Sequence, residues 1–241
     1  MNRNFYLMLM LAVILPFSSC NDDETIYPKT VTLETDFSTG TAANPADGWE
    51  AVFAEYPDGE NEFYELNSGI KNLPVPLNQT KKSFMLSGNN HSDALQMWLV
   101  KQLSGLAPES KYTIEAEVEL ASKYPDGSVG IGGSPGNSVH LVSKFATKGY
   151  TLEKKNGSNV ELILTKTESV PESVMNIDLG DVSIPSEEYV YQLIIRKKTS
   201  EANVVMTDKD GKLWAVVGTW SGFEGISTLY YTRIKLTLTK V

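Results

Sequence analysis

Residues 111–120, KYTIEAEVEL, constrain this chain more than any other segment. Tyr112, Ile114, Ala116, Val118 and Leu120 fall on one side of an extended backbone; Thr113, Glu115, Glu117 and Glu119 fall on the other. Successive side chains of a β-strand point to opposite faces, whereas a helix would scatter this set around its axis. A strand with one apolar and one acidic side belongs in an antiparallel sheet with one wet face. Residues 189–196 and 229–239 read the same way. Further strands are expected at 31–37, 49–56, 62–69, 82–88, 94–101, 138–144, 159–165, 202–207 and 212–219. Turn pairs fall between many of them, including Asp47-Gly48, Asp58-Gly59, Asn89-Asn90, Asp126-Gly127 and Asp210-Gly211. Residues 93–103 have a helix-friendly composition, but their alternation favours a strand. The reading is an all-β fold: a single antiparallel β-sandwich of the jelly-roll type over residues 31–241, with a closed barrel as its rival.

Ahead of this domain, Arg3 precedes an apolar run at 5–17, and Ser18-Ser19 precede Cys20. This is the pattern of a secretory leader over residues 1–19. The run is shorter than the roughly 20 residues of a comfortable membrane span. Residues 20–30 read as a polar tether. Cys20 is the only cysteine, which excludes an internal disulfide framework and a cysteine-based zinc cluster. With 30 acidic against 21 basic residues, the formal charge of -9 argues against a nucleic-acid partner.

Residues 16–20, PFSSC, resemble the lipobox of bacterial lipoproteins, in which the cysteine is lipidated and the leader is cleaved just before it. The resemblance implies lipid (palmitate) attachment at Cys20. Asn21-Asp22-Asp23-Glu24 resembles the export signal of surface lipoproteins of Bacteroides-type bacteria, which implies surface exposure on the outer membrane. A lone thiol at the edge of a secreted domain would otherwise be an exposed reactive group, and several acyl chains anchor far better than one.

Residues 103–120 resemble the strand lead-in of extracellular sandwich modules. Residues 225–236 resemble the closing strand of galactose-binding-like and carbohydrate-binding-module-like β-sandwiches. In that family an acidic residue often stands where Thr232 is, and helps hold a structural calcium near the first strand. The resemblance thus points to Glu34 and Asp36 as possible calcium carboxylates, and Thr232 departs from its pattern.

His91 and His140 are the only histidines, without the spacing of a zinc site. No Gly-x-Ser-x-Gly elbow surrounds a nucleophile, and the glycine-rich 124–137 segment lacks the lysine of a phosphate loop. Glu60, Glu62 and Glu65 are too unspecific to mark a glycosidase pair. No catalytic residue is assigned. Aromatic side chains beside turns are the better ligand candidates, because they bury apolar area while keeping a polar handle. Trp49, Tyr64, His91, Asp93 and Trp220 form the candidate ligand-binding set, with Trp98 and Trp214 assigned to the core. The leading expectation is a noncatalytic, surface-tethered glycan-binding lipoprotein. The alternative is an envelope structural or protein-interaction lipoprotein. A hydrolase would require His91 or His140 to meet a carboxylate and a nucleophile in one pocket.

Overall fold

The alternation of residues 111–120 becomes the second longest of fifteen strands in the computed structural model, which describes residues 26–39, 46–155, 159–166 and 171–241. Cys20, the leader and residues 21–25 lie outside the described residues. In chain order the first strands are β1 (Thr30–Asp36), β2 (Glu50–Ala54), β3 (Tyr56–Pro57), β4 (Asn67–Asn72) and β5 (Lys82–Asn89). Next come β6 (Gln96–Leu103), β7 (Lys111–Ser122), β8 (Val139–Ala146), β9 (Tyr150–Lys155) and β10 (Asn159–Leu164). The last are β11 (Val174–Asp181), β12 (Gln192–Thr199), β13 (Val205–Met206), β14 (Leu213–Ser221) and β15 (Ile226–Lys240). Residues 93–103 are a strand from Gln96 onward, as the alternation requires.

Two antiparallel sheets stack face to face. The seven-stranded sheet runs β12-β7-β15-β5-β4, with β1 also on β15 and β13 on β7. The five-stranded sheet runs β11-β8-β14-β6-β2. The chain changes sheet at each step from β5 to β8. Between the sheets lies one continuous core, to which β7 gives Tyr112, Ile114, Ala116, Val118 and Leu120, the set read from the sequence. Burying a large apolar side chain contributes roughly 1.5–3 kcal/mol, so this face fixes the register of β7.

β15 is the spine of the larger sheet. It pairs with β5 over Ile226–Tyr231 and with β7 from Tyr230 onward, and from Arg233 to Thr239 β1 takes the place of β5. The handover is marked by a bulge between Tyr231 and Arg233. Thr232, the bulged residue, donates its hydroxyl to the Glu119 side-chain Oε1 at 2.7 Å and accepts from the Phe37 N–H at 2.9 Å.

Two expectations are corrected, and two strands went unforeseen. Residues 61–65 form a turn, closed by Tyr64 N–H donating to the Glu60 carbonyl at 2.9 Å, so the strand in this region starts only at Asn67. The expected strand at 202–207 shrinks to the two residues of β13. β9 and β11 were not expected, although Met175, Ile177 and Leu179 alternate into the core.

Candidate functional site

The outward face of the five-stranded sheet is built in rows across neighbouring strands. One row is Ala54, Gln96, Trp220, His140 and Asp181. The next is Val52, Trp98, Gly218, Val142 and Asp178, and the third is Glu50, Val100, Val216, Lys144 and Asn176. Such a face would normally be wet, yet Val52, Ala54, Trp98, Val100 and Val216 are buried here. A three-stranded sheet, β3-β10-β9, covers them, and Leu162 of β10 completes a second small core.

Trp98 sits at the heart of this roofed zone with 0% exposure. Its Nε1–H donates to Gln96 Oε1 at 2.9 Å, and Lys144 Nζ lies 4.3 Å from its ring centre. Gly218 makes room for it: a Cβ there would overlap the Met97 carbonyl oxygen and stand 2.9 Å from the Trp98 ring. Burial pushes the Lys144 ammonium below its usual range, opposed by the charge of Glu55. A cation over the face of an indole is a favourable way to carry a charge under a roof.

The roof leaves both ends of the face open, and each end carries an aromatic pair. At one end Trp220, 40% exposed, stacks on His140 with ring centres 5.0 Å apart and planes 26° apart. Gln96 and Asp181 are its neighbours in the row. Burial alone would raise the Asp181 carboxyl; hydrogen bonds from Ser183 and Asn137, with Arg196 nearby, hold it below its ordinary value. At the other end a groove of about 260 Å³ is lined by Glu50, Gln102, Tyr150 and Trp214, among others. The Tyr150 and Trp214 rings meet edge to face, 5.7 Å between centres and 79° between planes. Burial, and then the charge of Glu50, push the Tyr150 hydroxyl up. Gly149, at φ +96°, lets the preceding turn lie against the Trp214 indole, where a Cβ would stand 3.1 Å from Nε1.

The residues singled out from the sequence are divided by the structure. Trp220 lies on this face. Trp49 is 3% exposed and donates its Nε1–H to Thr35 Oγ1 at 3.1 Å. It forms one wall of a separate cleft of about 350 Å³ between β1 and β6, near the Lys101–Asp47 ion pair. Tyr64, also 3% exposed, belongs to the core, because the turn at 61–65 points it inward. Tyr64 is thus a packed side chain and not a ligand contact, while Trp49 meets solvent space only at that separate cleft.

His91 and Asp93 are exposed in the loop before β6. The His91 ring stacks on Phe63 at 4.3 Å, and its Nε2 lies 3.2 Å from the Phe63 carbonyl. Asp93 lies beside Glu224, whose carboxyl is raised chiefly by the Asp93 charge. The glycine loop reaches the same place: Glu224 N–H donates to the Ile131 carbonyl at 2.9 Å, and a Cβ on Gly132 would meet Asp93 Oδ1 at 2.5 Å. Asn90 ties the loop to the residues after Trp220 through bonds to the Ser221 and Phe223 carbonyls. His91, Asp93 and the glycine loop therefore gather at the Trp220 end of the molecule, and Trp49 does not join them.

Glu34 and Asp36 each have protein partners on the first strand's outward side. Glu34 lies 3.9 Å from Lys235 Nζ, Asp36 Oδ1 accepts from the Ser38 N–H at 2.8 Å, and Thr232 is turned to Glu119. Among the described residues no three His, Cys, Asp or Glu side chains converge as a metal site. No helix among them is long and apolar enough to cross a membrane.

Sequence reasoning missed Trp214, Tyr150, Glu50 and Gln102. Trp214 reads as core because it lies in an apolar strand, and only the position of the roof over β14 reveals its open edge.

No family model matches the chain, and no curated protein matches it in sequence. Solved structures are similar in fold. One is the enzymatically active domain of tailspike protein 4 from bacteriophage CBA120, 8% identical at a TM-score of 0.35, covering 81% of this chain. This chain spans only 20% of that one. Another is the K1 cleaved adhesin domain of Lys-gingipain from Porphyromonas gingivalis W83, 9% identical, covering 86% of this chain and 97% of that one at a TM-score of 0.37. A third is a carbohydrate-binding module described as recognising mannan, 9% identical, covering 87% of this chain and 98% of that one at a TM-score of 0.38. The functional reading of this chain rests on its own surface.

Proposed function

We propose that this protein is a noncatalytic glycan-binding lipoprotein, held at the outer membrane by lipid on Cys20, with its outward five-stranded face as the binding surface. The observation that carries the reading is the half-exposed Trp220 stacked on His140, in one row with the Gln96 amide and the Asp181 carboxylate. A pyranose ring offers C–H groups to an aromatic face and hydroxyls to the amides and carboxylates at its rim; this row supplies both kinds of partner. The Trp214–Tyr150 groove, with Glu50 and Gln102, repeats the combination at the far end of β14. The His91 ring stacks on Phe63, with Nε2 toward the Phe63 carbonyl, which fixes the loop before β6 at this end of the molecule.

Glycan-array binding by the full-length chain in detergent tests the reading. Binding is expected and should fall in Trp220→Ala and in Trp214→Ala. If no glycan is bound, or if both variants bind like the parent, the reading is wrong.

A second reading, an envelope protein-interaction lipoprotein, is favoured by one observation. Among the described residues the edge strand β12 pairs with β7 alone and exposes Leu193 and Ile195 beside Tyr189 and Val190. Crosslinking from position 195 to an envelope protein, with no glycan bound, would select it.

A further inference from the structure

The opposite sheet carries a feature of different chemistry. Residues 66–92 hold Lys71, Lys81 and Lys82 and no Asp or Glu, in a chain whose acidic residues outnumber its basic ones 30 to 21. Most of this stretch is the β4–β5 hairpin at one edge of the seven-stranded sheet. On the outward face Met85 stands between Tyr230 on β15 and Gly69 on β4. Gly69 adds no side chain to the row, and a Cβ placed there would meet nothing within 4 Å, so the face is open at Gly69 while Met85 itself is buried as the groove's floor. The result is a shallow groove of about 480 Å³ lined by Ile70, Lys71, Asn72, Lys82, Met85 and Tyr230.

The electrostatics of this groove differ from those of its surroundings. Lys82 Nζ donates to the neutral Asn72 Oδ1 at 2.5 Å. Among the described residues neither Lys71 nor Lys82 is paired with a carboxylate. Lys71 shares the outward face with Met85 and Tyr230, whereas Lys82 and Asn72 alternate to the other side and border the groove from the strand ends. Further along the outward face the charges are neutralised internally: Arg233 meets Glu117 at 2.7 Å, and Lys197 meets Glu115 at 2.8 Å. Lys71 and Lys82 thus bring positive charge to a groove walled by the half-buried Tyr230, on an acidic molecule.

We propose that this groove is a second binding site, for an acidic saccharide bearing carboxylate or sulfate groups. The Tyr230 ring supplies a stacking surface over Met85, and Lys71 and Lys82 supply the counter-charge at the rim. Asn72, whose Oδ1 is taken by Lys82, keeps its amide N–H groups for a hydroxyl or an anionic oxygen. A compact phosphate is best held by convergent backbone N–H groups. Two spread cations along an aromatic floor suit a chain of charged sugar units instead. The attraction is local and acts against the net charge of the molecule, so it is sensitive to salt.

The test is affinity electrophoresis of the full-length chain in detergent through gels containing polygalacturonate, heparin or a neutral mannan, at low and high salt. Retardation by at least one acidic polymer is expected, weakened by salt. The Lys71→Ala/Lys82→Ala pair should weaken it about tenfold or more, and Lys71→Arg/Lys82→Arg should restore it. Trp220→Ala should leave the acidic-polymer binding intact while reducing neutral-glycan binding, so this site and the face proposed above fail separately. Retardation by neither acidic polymer, or equal retardation of the parent and the double alanine variant, overturns the proposal. So does stronger capture by phosphatidylglycerol vesicles, lost in the double alanine variant, which would make the groove a lipid contact.

Discussion

On the outward face of the larger sheet, β7 sets Glu115, Glu117 and Glu119 against Lys197 and Arg233. On that of the smaller sheet, β14 sets Trp214, Val216, Gly218 and Trp220 against Trp98, His140 and Lys144. Both strands alternate with a period of two, but the first borders water and the second borders a roof of three short strands. Exposed ion pairs are worth little to stability, so the charged face can vary at small cost. A roofed face must be filled, and only its unroofed ends are available to a ligand. The two faces teach that strand alternation locates a sheet, while the covering over its outer side decides whether that side is a surface or a second core.

The largest expected difference between the faces is at Trp98. Trp98→Ala should cost about 3–5 kcal/mol in urea unfolding, as deleting a buried aromatic side chain does. A loss below 1 kcal/mol would mean that the roof does not close over it. Gly218→Ala comes next, at about 1–3 kcal/mol, because its Cβ would press on the Met97 carbonyl and the Trp98 ring. Trp220→Ala should shift stability by only about 0.5–1.5 kcal/mol while lowering glycan affinity about tenfold, since its ring is stacked and half exposed. Equal losses of stability at Trp98 and Trp220 would erase the distinction between roofed and open positions.

The smallest effect is on the charged face. Burial alone would raise the Glu117 carboxyl, but the bond from Arg233, with Lys197 and Lys235 nearby, holds it below its ordinary value. A carboxyl depressed in the folded state contributes stability that is present above its unfolded value and lost as pH falls through the folded one. Glu117→Gln should therefore flatten the acid side of the stability–pH curve, by about 1 kcal/mol for a half-buried network at the sheet surface. Measured unfolding from neutral pH down through the carboxylate range checks this, and an unchanged curve would assign the acid sensitivity elsewhere.

The wet face was readable in the sequence because polar and apolar residues alternate there without exception from Tyr112 to Leu120. β14 was readable as a strand but not as a roofed one: its residues 213–217, LWAVV, are apolar toward both sides, and nothing local says which side meets a partner. That is why Trp214 reads as core from the sequence yet has an open edge. Tyr64 fails for the opposite reason, since a turn closed by a backbone bond to Glu60 breaks the period that residues 62–69 suggest. Trp220 was identifiable beside the glycines at 222 and 225, but its stacking on His140 depends on cross-strand register, which no local pattern encodes. The Lys71–Lys82 groove needed both the lysine-only composition of residues 66–92 and the pairing that places Gly69 beside Met85.

The position of β15 has a consequence for how the molecule is made. The strand that joins β1, β5 and β7 into one sheet is the last of the fifteen to emerge during synthesis. Until it arrives, β1 and β5 lack their shared neighbour, and native pairing must close loops as long as that between Asp36 and Arg233. A sheet whose central member comes last cannot complete its pairing until synthesis has reached the final strand.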